Sequence, residues 1–315
     1  MQVEDVFKQG PLPTQTLTIA QARGRSTGNV IPFPPKPLML IVPSVQGDYP
    51  ILLFLHGYVL VNYFYSQLLQ HIASHGYITI APQMYTTAGA DTTGEIADAV
   101  AITEWLRAGL CQHLPEKVQP DFQKLAIAGH SRGGKVAFGA ALGRTPVLPS
   151  SPYAALLGID PVDGMGAGKQ TPPPILTYKE HSFTGNIPTL VIGSGLGPVK
   201  RNPLFPPCAP AGVNHVDFFR ECCAPAYHFV AVEYGHVDFL DDETSGVRGK
   251  SSYCLCKNGV AREPMRRFSG GVMVAFLNAW LRNKAEVLDE LVANPSLAPV
   301  KVEAPECYVL QNLNA

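Results

Sequence analysis

Residues 125–139, LAIAGHSRGGKVAFG, contain the residue types of an activated serine nucleophile. Gly129, Ser131 and Gly133 form G-x-S-x-G between an apolar run and an amphipathic segment. This is the strand, turn and helix setting of a nucleophile elbow. Glycines two positions on either side of the serine remove side chains that would collide at so sharp a turn. The segment therefore predicts covalent catalysis through Ser131 on a strained backbone.

A serine that attacks an acyl carbon also needs donors for the negative charge that develops on the carbonyl oxygen. The helix after Ser131 directs its amino end at this oxygen, so the Arg132 amide is one predicted donor. The second is predicted in H-G-Y, which follows an apolar run. Gly57 allows a sharp turn there, and the amide of either Gly57 or Tyr58 is the candidate.

The serine also needs a base, and the base an orienting acid. In α/β-hydrolases the chain order is serine, acid, histidine, with each partner just beyond a strand. Asp160 directly follows the apolar run AALLGI, whereas the next run, TLVIG, leads into SGLGPVKRNP, which has no carboxylate. Asp163 is the alternative, but aspartate before glycine commonly forms a turn. Asp160 is therefore the predicted acid.

The letters HVDF occur twice, so two histidines compete for the role of base. His236 lies just past the apolar run HFVAVE, where the hydrolase base belongs. His215 follows no strand and is predicted to begin a short helix that Asn214 caps. His228 begins the strand itself, which leaves His236 as the predicted base. Structural roles are predicted for His56, His75 and His130.

Short apolar runs alternate with longer segments of helical periodicity. This order predicts one α/β domain over residues 1–315, with a Pro-containing lead at 1–36 that includes an early strand. A mostly parallel central sheet should have helices on both faces and long loops over the site. The predicted strands are TLTIA (16–20), LMLIV (38–42), ILLFLH (51–56), YITIAP (77–82), KLAIAG (124–129), AALLGI (154–159), TLVIG (189–193) and HFVAVE (228–233). The predicted helices cover 62–76, 95–109, 135–142, 214–221 and 270–283.

Composition excludes several classes of partner. Hydrophobic residues make up 46% of the chain and charged residues only 16%, below the usual level of about a quarter. The net charge is -1, and no cluster of Lys and Arg exists to bind a phosphate backbone, so nucleic acid is not expected as a partner. The apolar runs are too short to span a bilayer, so membrane contact would be peripheral. The first residues have neither a signal-peptide core nor the bias of a transit peptide.

Neither a metal nor a dinucleotide site is predicted. The seven cysteines do not form a C-x2-C framework, so no zinc site is expected. They are predicted to be mainly reduced thiols, with a disulfide that involves the pair 222–223 or 254–256 as the alternative. GSGLG at 193–197 resembles a dinucleotide fingerprint, but Pro198 and Pro203 prevent the helix that such a site needs. It is predicted to be a loop beside the site.

The sequence resembles plant chlorophyllases. The resemblance lies in YPILLFLHGY, LAIAGHSRGGKVAFG, LLGIDPVDG and VEYGHVDFLDD, and GHSRGG is more specific than a general lipase motif. It implies an α/β-hydrolase fold and hydrolysis of the phytyl ester of chlorophyll to chlorophyllide and phytol, with no added cofactor. The family's serine, aspartate and histidine fall on Ser131, Asp160 and His236.

The resemblance also implies a chloroplast location, although residues 1–10 do not resemble a transit peptide. Two alternatives stay open at this point. One is a serine esterase or lipase for another apolar ester, since G-x-S-x-G determines the reaction and not the alcohol. The other is a hydrolase-fold protein that binds a ligand in the same pocket.

Overall fold

The sheet is mixed but mostly parallel. The computed structural model describes residues 2–21, 33–144 and 148–309. Within these residues nine strands form one sheet in the order β1-β2-β4-β3-β5-β6-β7-β8-β9. β1–β2, β2–β4 and β8–β9 pair antiparallel, and all other neighbours pair parallel. The strands are β1 Thr14–Ile19, β2 Leu38–Pro43, β3 Gly47–Leu55, β4 Ile78–Pro82, β5 Val118–His130, β6 Ala155–Ile159, β7 Thr189–Ser194, β8 Ala226–Ala231 and β9 Glu306–Tyr308.

Helices cover both faces of the sheet, as predicted. Alternate residues of β3 point to opposite faces, so Leu52 and Phe54 join one apolar cluster and Leu53 and Leu55 the other. The first cluster includes residues of α1, α2, α7 and α8, and the second includes residues of α3, α4 and α5. The helices are α1 Val3–Val6, α2 Ser66–Ser74, α3 Thr93–Gly109, α4 Arg132–Ala141, α5 His215–Glu221, α6 Gly246–Leu255, α7 Glu263–Arg282 and α8 Glu286–Ala293, with 3-10 turns at Asn62–Tyr65, Leu110–His113 and Pro295–Leu297.

Several element boundaries differ from the prediction. β5 begins at Val118 because residues 118–121 pair with residues 47–50 of β3, a contact that the local pattern does not encode. α7 begins at Glu263, seven residues before the predicted start, with a proline in its first turn, where the missing N–H costs nothing. The predicted helix 62–76 divides into a 3-10 turn and α2. α1, α6, α8 and β9 were not predicted.

The amino-terminal lead is joined to the fold. β1 is the early strand expected there, and residues 22–32 of the predicted lead lie outside the described residues. Phe7 packs so closely on α7 that a Cβ at Gly271 would overlap its ring. His71 Nε2–H on α2 donates to the Val6 carbonyl at 2.7 Å. The single domain over residues 1–315 stays a prediction.

Two cysteines are oxidised. Cys208 and Cys256 form a disulfide between residues 48 apart in the chain, so the prediction of reduced thiols is wrong for these two. The alternative was correct that a later pair takes part, although Cys208 was not predicted as the partner. The two meet because the long loops after β7 and β8 come together, which spacing alone does not encode. The other five cysteines are free thiols.

Membrane insertion by a helix finds no support in the fold. Across residues 2–21, 33–144 and 148–309, none of the helices combines the length and the apolar character needed to cross a bilayer.

The predicted loop after β7 is also found: residues 195–198 form a turn after Ser194, and no helix begins there.

Four buried histidines should make stability depend on pH in a range where few other groups titrate. Burial lowers the pKa of His56 and His71 to about 4 and that of His130 and His228 to about 3. Below the ordinary value of 6.5 the unfolded chain binds protons that the folded chain excludes, so stability is lost as the pH falls from 6.5 towards these lower values. Each histidine should cost about 1.4 kcal/mol per pH unit in that range.

The variant His71→Gln isolates one of these groups, because glutamine retains an N–H donor for the Val6 carbonyl and does not titrate. Urea unfolding at pH 6.5 and one unit lower measures the loss of stability in both proteins. The loss should be smaller in the variant by about 1 kcal/mol. Equal losses would mean that His71 is protonated in the folded chain.

Candidate active site

Five neighbouring parallel strands end at one edge of the sheet, and the predicted site residues meet there. Gly57 follows β3, Ser131 follows β5, Asp160 follows β6, and His236 lies on the loop after β8. β7 ends in Ser194 between the last two. Carboxyl ends of adjacent parallel strands are where α/β folds assemble their sites.

The turn at Ser131 is as strained as the motif predicts. Its φ is 57° and its ψ is -123°, a backbone conformation that residues with a side chain rarely adopt. A Cβ on Gly129 would overlap the backbone of Gly133, and one on Gly133 would overlap the Leu55 carbonyl of the adjacent strand. Gly129 is therefore required for β5 and α4 to pack this closely, and Gly133 for α4 to approach the end of β3.

Ser131, His236 and Asp160 form one chain of hydrogen bonds. His236 Nε2 lies 2.8 Å from Ser131 Oγ, and His236 Nδ1 lies 2.8 Å from Asp160 Oδ2. A carboxylate only accepts, so Nδ1 carries the proton and Nε2 is left to accept from the serine hydroxyl. This is the geometry of a nucleophile, its base and the acid that orients the base.

Asp160 is a carboxylate held ionised inside the protein. Complete burial by itself raises its pKa, but the hydrogen bond and charge of His236 outweigh burial, and His215 and Ser194 add to them, so the pKa falls to about 2. Ser194 Oγ donates to Oδ2 at 2.5 Å, and the Ser194 amide lies 3.2 Å from Oδ1. Sequence reasoning missed Ser194, although its position directly after a predicted strand was a usable signal.

The alternative acid Asp163 has other partners. It is fully buried, its Oδ1 lies 2.8 Å from Lys135 Nζ, and its Oδ2 accepts from the amides of Ile175 and Leu176 at 2.8 and 2.9 Å. Asp163 does not form the predicted turn and instead joins α4 to the loop that follows β6. Sequence reasoning missed this buried ion pair.

His215 has the position that was predicted for it, whereas His228 is the third residue of β8 and does not begin the strand. His215 begins α5, and Asn214 caps that helix with its side chain, as expected. His215 Nδ1 lies 2.9 Å from His228 Nε2, and His228 Nδ1 lies 3.1 Å from Glu306 Oε1. Neither histidine contacts Ser131.

A second hydrogen-bond chain holds the backbone of His236. His130 Nε2–H donates to the His236 carbonyl at 2.7 Å, and His130 Nδ1 accepts from Tyr65 Oη at 2.8 Å. The Tyr65 oxygen in turn accepts the Gly57 amide at 3.1 Å. Burial is the main reason that the pKa of His130 falls to about 3, so this ring is neutral. A structural role was predicted for His130, and these hydrogen bonds show what it is: the ring fixes the backbone of His236.

This hydrogen-bond chain distinguishes between the Gly57 and Tyr58 amides, the two candidate donors in H-G-Y. The Gly57 amide already has Tyr65 as its acceptor, so it is not free to bind an oxyanion. In the described part of the chain, the amides of Tyr58 and Arg132 donate to no other residue. These two N–H groups remain available at the site.

An apolar cleft of about 360 Å³ opens at Ser131. The Arg132 guanidinium at its wall is neutralised by Glu95, with distances of 2.6 and 2.8 Å, and lies 5.4 Å from the centre of the Tyr58 ring. Within the described residues, no group of acidic, histidine or cysteine side chains is arranged to bind a metal. The lining residues are Tyr58, Gly89, Ala90, Ser131, Arg132, Val162, Gly164, Met165, Thr171, Pro207, Cys208 and Pro210.

Comparison with known proteins agrees with the motifs. A family model described as chlorophyllase matches residues 2–309. The chain belongs to the chlorophyllase family. Its mostly parallel sheet with helices on both faces is accordingly an α/β-hydrolase fold, and the resemblance that the motifs indicated is confirmed.

Curated members of the chlorophyllase family align over most of this chain. Chlorophyllase-2 of Arabidopsis thaliana is 54% identical over 282 residues, which cover 88% of this chain and 89% of that protein. Chlorophyllase-1 of the same plant is 45% identical over 303 residues, or 95% and 92% of the two chains. Chlorophyllase-1, chloroplastic, of Citrus unshiu is 40% identical over 305 residues, or 96% and 88%.

Proposed function

We propose that this chain is a carboxylic ester hydrolase that cleaves the phytyl ester of chlorophyll to chlorophyllide and phytol, with Ser131 as the nucleophile. The observation that carries the proposal is the hydrogen-bonded chain of Ser131, His236 and Asp160, whose serine lines an apolar cleft. Membership of the chlorophyllase family indicates chlorophyll as the substrate.

In the acylation step, His236 Nε2 takes the hydroxyl proton of Ser131 while Oγ bonds to the ester carbonyl carbon. The amides of Arg132 and Tyr58 stabilise the oxyanion of the tetrahedral intermediate. The intermediate then collapses, the C–O bond to phytol breaks, and His236 gives its proton to the departing oxygen. Ser131 is left esterified by the chlorophyllide acyl group.

In the second step, water attacks the same carbonyl carbon while His236 takes its proton. The bond to Oγ breaks, the proton returns to Ser131, and chlorophyllide leaves as a carboxylic acid. Asp160 stays ionised through both steps, because its pKa is about 2, and it stabilises the imidazolium that forms twice. Water is the only other reactant.

The cleft suits an uncharged, apolar substrate. Its one cationic side chain, Arg132, is already paired with Glu95 at 2.6 Å and therefore does not favour an anionic ligand. The other lining groups are mostly small or apolar, including Val162, Met165 and Pro207. Such a lining binds a phytyl chain or a tetrapyrrole edge by removing apolar surface from water.

A chloroplast location is proposed on the same family basis, since two Citrus relatives are named chloroplastic. A fluorescent fusion at the carboxyl end should coincide with chlorophyll autofluorescence in leaf cells. Fluorescence confined to other compartments would overturn this proposal and leave the proposed reaction intact.

Chromatography of detergent-dispersed chlorophyll a after incubation with the purified protein tests the function. Chlorophyllide and phytol should appear in equal amounts, and neither should appear with Ser131→Ala. A short nitrophenyl ester, assayed in parallel, distinguishes the alternatives. Fast cleavage of that ester with no chlorophyllide would mean a different apolar substrate, and pigment binding with no cleavage of either ester would mean a ligand-binding protein.

A further inference from the structure

Large apolar side chains are exposed around the mouth of the cleft. Tyr58 and Met165 line the cleft and are about half exposed. Leu204 is 85% exposed and Phe205 47%, and they lie just before Pro207, which also lines it. Leu255 is brought to the same place because the next residue is bonded to Cys208. We call these five residues, Tyr58, Met165, Leu204, Phe205 and Leu255, the apolar rim.

The loop that carries Leu204 and Phe205 is held outward. Every residue from 198 to 206 is exposed, and three of the nine are proline. Asn202 Oδ1 accepts the Leu204 amide at 2.9 Å, and the disulfide of Cys208 anchors the far end of the loop. These interactions order a segment whose apolar side chains face the exterior.

The same loop is joined to α6. Arg201 Nη1 donates to the Tyr253 carbonyl at 2.6 Å and lies 3.3 Å from the Cys256 carbonyl. The Arg201 guanidinium also lies 5.6 Å from the centre of the Tyr253 ring. The exposed loop and the end of α6 therefore form one surface beside the cleft.

The charge of this surface has one sign. Residues 198–208 and 253–257, which form this surface, contain three Lys or Arg and no Asp or Glu, although the whole chain has a net charge of -1. Lys200, Arg201 and Lys257 are exposed among them. Apolar side chains bordered by bases are typical of surfaces that rest on bilayers with anionic headgroups.

We propose that the apolar rim docks on an anionic lipid bilayer, with Leu204 and Phe205 inserted among the acyl chains and Lys200 and Lys257 on the headgroups. This orientation turns the mouth of the cleft towards the membrane. A lipid-held ester then reaches Ser131 without crossing water. The inference rests on the proposed function only for the lipid-held substrate, since binding itself requires no hydrolysis.

Flotation of the purified chain with vesicles tests the docking. The protein should float with phosphatidylcholine vesicles that contain phosphatidylglycerol, and less with phosphatidylcholine alone. Leu204→Glu/Phe205→Glu should weaken binding by at least about tenfold, because two apolar side chains no longer leave water. Val45→Glu/Leu148→Glu is the matched control, since these exposed residues precede β3 and β6 at the opposite edge of the sheet.

Each outcome decides the proposal. Wild-type protein that stays with the soluble fraction, or a rim variant that floats as wild type does, overturns it. A wild-type dimer that the rim variant dissociates, with flotation unchanged, would assign the surface to a second copy of the chain instead. Lys200→Glu/Lys257→Glu should lower binding to vesicles with phosphatidylglycerol and leave binding to phosphatidylcholine vesicles unchanged. If this variant bound both kinds of vesicle as the wild type does, the headgroup contact would be overturned.

Activity separates this inference from the proposed function. The rim variant should cleave a water-soluble nitrophenyl ester and detergent-dispersed chlorophyll at wild-type rates, and lose turnover only on chlorophyll held in vesicles. Wild-type protein that floats but cleaves no chlorophyll would overturn the function and leave the docking. Wild-type protein that cleaves chlorophyll but does not float would overturn the docking and leave the function.

We also infer, from a separate observation, that Ser194 is a positioning residue that acts on His236 through Asp160. Ser194 is fully buried, and its hydroxyl and amide contact both oxygens of Asp160, at 2.5 and 3.2 Å. The hydroxyl shares Oδ2 with His236 Nδ1. These bonds fix the rotation of the carboxylate and so the direction in which the imidazole faces Ser131.

Kinetics of Ser194→Ala test this role, which rests on the proposed function. Loss of a hydrogen bond to a charged group should lower kcat roughly 10- to 100-fold and leave KM nearly unchanged. The charged and titratable groups that face Asp160 are His236 and His215. Without the serine donor, Asp160 presents more negative charge to His236, so the acid limb of kcat/KM should move to higher pH.

Ser194→Cys should recover part of kcat, because a thiol is a weaker donor of similar size. Wild-type kcat and an unmoved acid limb in Ser194→Ala would overturn the inference. The same profiles measured on a nitrophenyl ester keep the test valid if chlorophyll is not the substrate.

Discussion

Replacing Ser131 by alanine should lower the turnover of chlorophyll by at least about 10,000-fold without unfolding the protein. The substitution removes only the Oγ atom that lies 2.8 Å from His236 Nε2. His236 keeps its bond to Asp160, and the amides of Arg132 and Tyr58 keep their positions. No covalent intermediate can form, so only weak catalysis by the remaining groups is left.

Two measurements check this expectation. Release of chlorophyllide gives the turnover, and labelling by a fluorophosphonate reports the nucleophile without any substrate. The wild type should be labelled at Ser131 and the variant not at all. Ser269→Ala is the matched control, because Ser269 is a buried serine of α7 whose hydroxyl donates to the Met265 carbonyl, and it should keep both activity and labelling. Ordinary turnover by Ser131→Ala would mean that another residue is the nucleophile.

Replacing Lys135 by methionine should lower the free energy of unfolding by roughly 3–5 kcal/mol. Lys135 Nζ and Asp163 Oδ1 lie 2.8 Å apart with almost no exposure of either side chain. Burial lowers the pKa of Lys135, and the Asp163 carboxylate opposes that change. Methionine leaves the carboxylate charged and buried, and its Oδ1 then has no partner, since that oxygen has no regular hydrogen bond apart from the ion pair.

The double variant Lys135→Met/Asp163→Asn separates the charge from the packing. Asparagine can still accept the amides of Ile175 and Leu176, and no charge is left buried. We expect it to regain at least half of the loss, because removal of both charges avoids the cost of one unpaired charge. Urea unfolding measures both variants, and a loss below about 1 kcal/mol in Lys135→Met would contradict the expectation.

The ion pair also affects the site. α4 begins directly after Ser131, and Lys135 is the fourth residue of this helix. Asp163 lies between Val162 and Gly164, which both line the cleft. Loss of the pair should therefore loosen the cleft wall next to Ser131. We expect Lys135→Met to lower kcat as well as stability, with both effects reduced in the double variant.

Local sequence was sufficient to locate most elements and the three central side chains. The apolar runs predicted as strands at 51–56, 154–159 and 189–193 correspond to β3, β6 and β7, whose apolar parts are buried on both faces, the pattern that parallel strands require. Ser131, Asp160 and His236 each follow such a run. Chain order and strand ends therefore predicted which three residues would lie close together, and their catalytic roles stay a proposal.

Contacts between distant segments were not predictable in this way. The Gly57 amide is occupied by Tyr65, and His130 is fixed between Tyr65 and His236, because the 3-10 turn before α2, the end of β5 and the loops after β3 and β8 converge at the site. The disulfide of Cys208 joins residues 48 apart. No periodicity or motif connects these positions in the sequence.

The sequence by itself determined the sharp turn at Ser131, because a nucleophile elbow depends on the glycines two positions before and after the serine and on the apolar run that precedes them. Only the tertiary structure decided which amides stay free for an oxyanion, which carboxylate is paired with a lysine, and which apolar side chains remain exposed at the cleft. These properties depend on distances between segments far apart in the chain. Hydrogen bonds and burial act over a few ångströms in space, and sequence separation does not encode them.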